Sequence, residues 1–332
     1  MSILLALSSY FISTLTVEVL RSWYNICMSA TWENVLHTWN KPPSESEKQK
    51  RIRTRRQIEN ALKSYLSLDA GLYKVYSKGS VRNNTHVRLD SDVDIAVEYL
   101  NYFKYEKVGN AAFLANESLK ISPSYDSYAP QQFRKDIYNA LVKEFGASNV
   151  IKGDKSLKIR NGSTTLPADV VPCVSYRQYF GASDFGTPFY HEGTRIYGEN
   201  GSITTNFPKQ HLDNGIAKNK VTEGRYKHIV RILKRLENQL HKEGHIKNEI
   251  PSFLTESIVW NMPKSCFNNA TLYEDLRMVI GLAWVYTTTP QNYPTMWEVN
   301  NIKLLFSNEQ NWNIAQANNF LNNAWGYMGY KV

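Results

Sequence analysis

GSVRNNTHVRLDSDVDIAVE, Gly79 to Glu98, is the stretch on which the reading of this chain turns. A glycine–serine pair stands twelve residues ahead of Asp92, and Asp94 follows in a run otherwise made of Val, Ile and Ala. The β-branched residues Val93, Ile95 and Val97 favour a strand. Successive side chains on a strand point to opposite faces, so Asp92 and Asp94 share one face and the apolar residues the other. Asp90 has the same parity but precedes the apolar run and is left out of the pair. Two carboxylates so close repel each other, and each resists leaving water. A divalent cation is the simplest compensation, and carboxylate oxygens are the ligands Mg²⁺ prefers.

The flanking sequence adds to this. LYKVYSKGS (Leu72–Ser80) reads as a strand entering a tight turn at Gly79 and Ser80. Glycine there lets backbone N–H groups approach phosphate oxygens, and the serine hydroxyl adds a donor. A third acid, Asp169, lies in ADVVPC on another expected strand, after a hairpin-like RNGS turn in LKIRNGSTTLPADVVPCV. Three acids on neighbouring strands make the two-metal arrangement of nucleotidyl transfer, one ion for the attacking hydroxyl and one for the triphosphate. Either short motif alone is weak. Strand, Gly–Ser, a dozen residues, D-x-D in an apolar strand and a later strand aspartate form a much more specific set.

The whole chain is compatible with that chemistry. Its 332 residues suit two domains, and 42% hydrophobic with 21% charged residues is ordinary for a globular protein. The net charge of +9 points to a polyanionic partner or substrate. Cys27, Cys173 and Cys266 lie too far apart for a metal-type spacing, so neither a disulfide framework nor a zinc site is indicated, and a reducing cytoplasm fits. SILLALSSYFISTLTV (Ser2–Val17) is apolar but short for a membrane span, and it lacks the basic start of a signal peptide. With Met28 offering a second start, residues 1–30 read as a start-site artefact or a loosely attached extension, and no stable membrane insertion is expected.

A capping box at Ser44 and Glu47 opens a helix with an apolar stripe at Ile52, Ile58, Leu62 and Leu66. The same helix carries the basic cluster Lys48, Lys50, Arg51, Arg53, Arg55 and Arg56, read as a solvated or nucleotide-attracting face, with nucleic-acid binding the alternative. Another helix covers Gln131–Gly146. From Thr222 to Lys242 an amphipathic helix places Tyr226, Ile229, Val230, Leu233, Leu236 and Leu240 on one side. Lys227, Arg231 and Lys234 form its basic edge, the first two expected in solvent. Further helices are expected near Ser252–Asn261, Leu272–Thr287 and Trp312–Trp325. The expected division is an α/β catalytic lobe over 31–215, with a mixed sheet, and a mainly helical lobe over 216–332.

Six stretches, WNKPPSESEK, GSVRNNTHVRLDSDVDIAV, ADVVPCVSYRQY, NFPKQHLDNGIAKNK, RYKHIVRILKRL and IPSFLTESIVWNMP, together resemble the bacterial CD-NTases of the polymerase-β-like nucleotidyltransferase superfamily. These are relatives of cyclic GMP–AMP synthase and oligoadenylate synthetase that make cyclic oligonucleotide messengers for anti-phage defence. The resemblance runs from Trp32 to Pro263 and is most specific over Gly79–Val97. It implies Asp92, Asp94 and Asp169 as metal-binding catalytic acids holding two Mg²⁺ ions, with Mn²⁺ able to substitute. It implies Gly79 and Ser80 as the phosphate-gripping turn, and Lys234 and Ser252 as triphosphate contacts from the helical lobe. NTP substrates, a downstream effector activated by the cyclic product, a monomeric state and no requirement for nucleic acid follow from the same resemblance.

Asn206 in TNFPKQH can read a base edge, since an amide donates and accepts, or can simply close a turn. Pyrimidine use is the corresponding expectation, because the clade these motifs most resemble accepts pyrimidine nucleotides. Tyr176, Tyr179, Tyr197 and Phe207 are available for base stacking or for the core. HKEGH (His241–His245) lacks the order of a metalloprotease and reads as a helix end. Two other functions stay open: a template-independent enzyme extending RNA or tRNA ends, and a catalytically inactive nucleotide- or nucleic-acid-binding module.

Overall fold

The computed structural model describes residues 29–66, 71–87, 92–122, 129–160, 166–292 and 295–330. The expectations for residues 1–27, for Asp90 and for most of the RNGS turn lie outside these residues. By internal contacts the chain forms two units, residues 42–220 with 296–305, and residues up to Lys41 with 221–295 and 306–332.

The first unit is built on a seven-stranded sheet. Its strands are β1 (Tyr73–Ser77), β2 (Val93–Lys107), β3 (Val150–Lys152), β4 (Leu157–Ile159), β5 (Ala168–Ala182), β6 (Pro188–Tyr197) and β7 (Ile203–Asn206). They run in the order β1-β2-β5-β4-β3, with β6 also pairing β5 and β7 pairing β6. Besides β2, β5 serves two further partners because it is long: its first residues pair β4 and its later ones β6. Among the described strands only β2 and β5 pair in parallel.

The alternation expected for β2 is realised. Val93, Ile95, Val97 and Tyr99 enter a core with Val170 and Val174 of β5. That core is closed by α2 (Glu45–Tyr65) and α4 (Pro130–Phe145), through Ile58, Leu62, Phe133, Ile137 and Leu141. Asp94, Ala96 and Glu98 point to the other face, as do Asp169, Val171 and Cys173 across the ladder. β2 continues past Tyr99 through a register shift between Tyr99 and Phe103, so it is longer than the apolar run suggested.

The capping box of α2 is present, with Ser44 N–H donating to Glu47 Oε2 at 2.7 Å. Its buried face needs correction. Ile58, Leu62 and Leu66 are buried, whereas Ile52 is 42% exposed. Thr54 and Arg51 occupy the buried side instead, one turn and two turns before Ile58. Thr54 earns that place by hydrogen bonding: its hydroxyl donates to Lys50 O at 3.0 Å and accepts from Leu166 N at 3.0 Å.

A one-turn helix α3 (Gly79–Asn83) follows β1, and α5 (Pro208–Val221) follows β7. The expected lobe boundary at 215/216 therefore falls inside a continuous helix, and the units divide after Lys220. Residues 296–305 belong with the sheet, where Asn214 Nδ2 donates to Val299 O at 2.8 Å.

The second unit contains α1 (residues 29–39), α6 (Arg225–Lys242), α7 (Ser252–Asn261), α8 (Leu272–Thr288) and α9 (Ile314–Tyr327). α1 joins this unit, not the catalytic lobe. Its Glu33 carboxylate accepts from Leu272 N at 2.9 Å and Tyr273 N at 2.8 Å, satisfying free donors at the start of α8. The apolar side of α6 is buried as expected. Arg231 is not in solvent: it is buried, and its Nε donates to Asn40 O at 2.6 Å. Among the described residues no helix is long and apolar enough to cross a membrane.

Two substitutions on α2 separate its true core face from the expected one. Ile58→Ala should cost about 2–5 kcal/mol by the cavity it leaves, and Ile52→Ala no more than about 0.5 kcal/mol, in denaturant unfolding at neutral pH.

Candidate active site

Gly79 carries the turn. Its φ of +61° is one that side chains rarely adopt, and an added Cβ would overlap Asp94 Oδ2 and lie 3.3 Å from Asp94 Cγ. The glycine therefore lets the α3 backbone lie directly against an acid of the D-x-D pair. Lys78 N–H donates to Asp94 O at 3.0 Å, tying the turn to the start of β2. Asn84, at φ 55°, closes α3, and its N–H donates back to the Ser80 and Val81 carbonyls. Ser80 is thus held on a short, fixed helical turn, not on an open loop.

Asp94 and Asp169 are register partners across the parallel β2–β5 ladder. Both side chains lie on the face away from the core, and Asp92 stands exposed two residues before Asp94. Burial raises the Asp94 carboxyl above its ordinary value; Lys78 and Arg51 lower it, while Asp169 and Asp92 raise it further. The Asp169 carboxyl is raised in the same way, by burial and then by Asp92, against Lys158 and a hydrogen bond from Ser156. Its Oδ1 is buried with no hydrogen-bond partner among the described residues. A buried carboxylate oxygen with no hydrogen-bond partner, level with a second carboxylate on the next strand, fits a cation-binding face.

Among the described residues no three His, Cys, Asp or Glu side chains converge tightly enough to grip an ion unaided. That agrees with Mg²⁺ practice: one or two carboxylates hold the ion and substrate phosphates complete its shell. The residues fit the ion on those terms.

Asn206 ends β7 opposite Thr194 of β6, and Thr194 is opposite Ser175 of β5, so these three share one face of the sheet. A cavity of about 830 Å³ opens on this face, lined by Tyr76, Arg82, Glu98, Ser175, Tyr176 and Thr194 among others. Tyr176, Tyr179 and Phe207 are nearly fully buried, and only Tyr176 of these lines the cavity. Lys234 and Ser252 lie in the helical unit. Lys234 is buried with its Nζ 3.0 Å from Glu256 Oε2, also buried, and Ser252 is exposed at the first turn of α7.

Sequence reasoning missed four contributors. Arg51, grouped with the solvated basic cluster, is buried, and its charge interacts with Glu47 and Asp94. Lys78 and Lys158 flank the acids, Lys158 as the register partner of Asp169 on β4. Glu98 has the same parity as Asp94, and that alternation was the available signal for it.

Aligned carboxylates on parallel strands, set against a glycine turn, define the class: a polymerase-β-like nucleotidyltransferase core. Residues 213–329 match the family profile of the cGAS/DncV-like nucleotidyltransferase C-terminal helical domain. Over 302 residues the chain is 35% identical to the cyclic dipyrimidine nucleotide synthase CdnE of Legionella pneumophila, spanning 91% of this chain and 99% of that one. Over 300 residues it is 30% identical to a cyclic dipurine nucleotide synthase of Elizabethkingia meningoseptica, spanning 90% and 99%. The solved structure of the Rhodothermus marinus CdnE c-UMP-AMP synthase with Apcpp and Upnpp matches with a TM-score of 0.74 at 29% identity, covering 90% of this chain and 97% of that one. The chain belongs to the CD-NTase family of nucleotidyltransferases.

The raised Asp94 carboxyl has a consequence for stability without metal. A carboxyl lifted above its unfolded value of 3.8 makes the folded state proton-richer, so its contribution to stability falls as pH rises through that window. In chelator at neutral pH, Asp94→Asn should therefore raise Tm, with the gain vanishing at acid pH. An unchanged or lowered Tm at neutral pH would contradict the repulsion described here.

Proposed function

We propose that this nucleotidyltransferase condenses two or more NTPs, pyrimidine nucleotides among them, into a cyclic di- or oligonucleotide messenger. The observation that carries the reading is the register pairing of Asp94 with Asp169, one oxygen of Asp169 lacking a partner, beside the Gly79 turn.

In this reading Asp92, Asp94 and Asp169 are the residues that would hold two Mg²⁺ ions, or Mn²⁺ in their place. When bound, such ions neutralise phosphate charge and make a ribose hydroxyl a better nucleophile. The chain's own groups do the rest. Backbone N–H groups around Gly79 and Ser80, with the Ser80 hydroxyl, orient the triphosphate of the donor nucleotide. The hydroxyl oxygen of a second nucleotide bonds to the donor's α-phosphorus, the bond from that phosphorus to the bridging oxygen breaks, and pyrophosphate leaves while the hydroxyl proton is released. A second round on the turned-over linear intermediate closes the ring.

Lys234 and Ser252 are assigned to the triphosphate by family likeness, and the Lys234 ammonium would be shared between phosphate and Glu256. Asn206 is assigned to base reading, supported by its place beside the cavity wall. The named relatives include a dipyrimidine synthase and a c-UMP-AMP synthase, which favours pyrimidine use. The product would activate a downstream effector in the cytoplasm.

Incubation with four α-labelled NTPs and Mg²⁺, without nucleic acid, then phosphatase, should leave a compact resistant product. Label entering only added RNA would move the assignment to an end-extending enzyme. Asp92→Asn with Asp94→Asn should abolish product while leaving the unfolding transition cooperative; surviving turnover would refute the acids' role. Asn206→Ser should change which omitted NTP stops synthesis.

A further inference from the structure

Glu98 is 4% exposed, yet it lines the cavity on the active face. It lies four residues along β2 from Asp94, about 13 Å at strand spacing. Three donors surround its carboxylate. Tyr76 Oη donates to Oε2 at 2.9 Å, Ser175 Oγ donates to Oε1 at 2.9 Å, and Lys74 Nζ sits 3.0 Å from Oε2. Tyr76, Ser175 and Lys74 line the same cavity. Burial first, then the neighbouring Cys173 and Glu98, push the Tyr76 phenol far up, so it keeps its proton.

The chemistry of these bonds has a direction. A carboxylate only accepts, and a hydroxyl has one hydrogen and two lone pairs. Both hydroxyl hydrogens are used on Glu98. What Tyr76 and Ser175 can offer the cavity is therefore lone pairs alone. The Tyr76 ring is fixed as well, with the Arg82 guanidinium 5.4 Å and the Lys74 ammonium 5.5 Å from its centroid. Arg82 belongs to α3, two residues after Ser80, and lines the cavity too, so the cavity begins where the phosphate turn ends.

We propose that Glu98 is a positioning residue that locks Tyr76 and Ser175 as hydrogen-bond acceptors, making this wall a subsite for an N–H or O–H donor of a bound nucleoside. The donor is a base amino group or ring N–H, or a ribose hydroxyl; a carbonyl placed against the Tyr76 and Ser175 oxygens would face lone pairs and is disfavoured at that point of the wall. The inference rests on the nucleotide-condensing reading of the site above.

The test is equilibrium binding, without turnover, of α,β-methylene NTPs to wild type, Tyr76→Phe, Ser175→Ala and Glu98→Gln. CTP against UTP analogues exchanges the C4 amino donor for a carbonyl and turns N3 from acceptor to N–H donor. The sign of the preference therefore separates an amino donor (CTP tighter) from a ring N–H donor (UTP tighter); 2′-deoxy and 3′-deoxy analogues each remove one ribose hydroxyl. In wild type one of these changes should shift binding about tenfold, the scale of one lost hydrogen bond, and which one it is identifies the donor. Tyr76→Phe or Ser175→Ala should shrink that ratio to about threefold or less, chiefly by weakening the analogue that has the donor. In Glu98→Gln the amide N–H must be accepted by one hydroxyl, which then turns its hydrogen to the cavity, so the acceptor-bearing analogue should gain. A merely structural Glu98 would weaken all analogues alike. Ratios that stay the same in wild type and all three variants overturn the proposal. Product formation with no change in these ratios removes this inference and leaves the proposed function standing. The expected ratios in a protein that makes no product do the reverse.

Discussion

The parallel pairing of β2 with β5 is the constraint on which the catalytic unit depends. It sets Asp94 level with Asp169 and so concentrates negative charge where burial already disfavours it. Repulsion of this kind survives only if the surrounding ladder over-determines the geometry. Here it does: β1 and β4 flank the two central strands, and their apolar faces are sealed by α2 and α4. Removing the repulsion would require slipping a strand by one residue, which would turn Val93, Ile95 and Val97 out of the core. The hydrophobic face holds the charged face in place.

The charged face is itself graded along the strands. Near the start of β2 the carboxylates lack enough donors: Asp169 Oδ1 has none among the described residues, and the cations Lys78, Arg51 and Lys158 act on the pair without cancelling it. Farther along, Glu98 is surrounded by donors on both oxygens. One carboxylate site is thus poised for a ligand of positive charge, while the other is internally satisfied and organises its neighbours. Burial is common to both, and the difference lies in who supplies the hydrogens.

Strand alternation made much of this legible in advance. Asp92, Asp94 and Asp169 were readable because an acid within an apolar β-branched run is costly, and cost is visible in a sequence. Arg51, Arg231 and Lys234 were not readable in the same way. Long cationic side chains bury their stems and satisfy their heads with partners distant in sequence, such as Asn40 O for Arg231 and Glu256 for Lys234. A helical wheel cannot know of those partners. The same holds for α1, whose place in the helical unit depends on Glu33 finding the start of α8 more than two hundred residues later. Glu98 sits between these cases: its parity was legible, its three donors were not.

Relatives of similar overall identity carry names that differ in the bases joined: dipyrimidine at 35%, dipurine at 30% and UMP with AMP at 29%. A scaffold shared at that level cannot itself be what chooses the base. A tenfold preference needs only about 1.4 kcal/mol, the scale of one hydrogen bond made or withheld. Few side chains therefore suffice, and they must touch the nucleoside without disturbing the sheet that aligns the acids. A cavity wall on the far stretch of β2, β5 and β6 meets that demand, since it shares the rigidity of the ladder but not its catalytic charge. The amide proposed to read a base at Asn206, which both donates and accepts, and hydroxyls held so that they only accept would be two distinct ways of writing a base preference beside such a wall. The first is indifferent to which way a base edge is turned. The second is not, and that asymmetry lets a buried carboxylate that never meets the substrate influence which nucleotide is accepted.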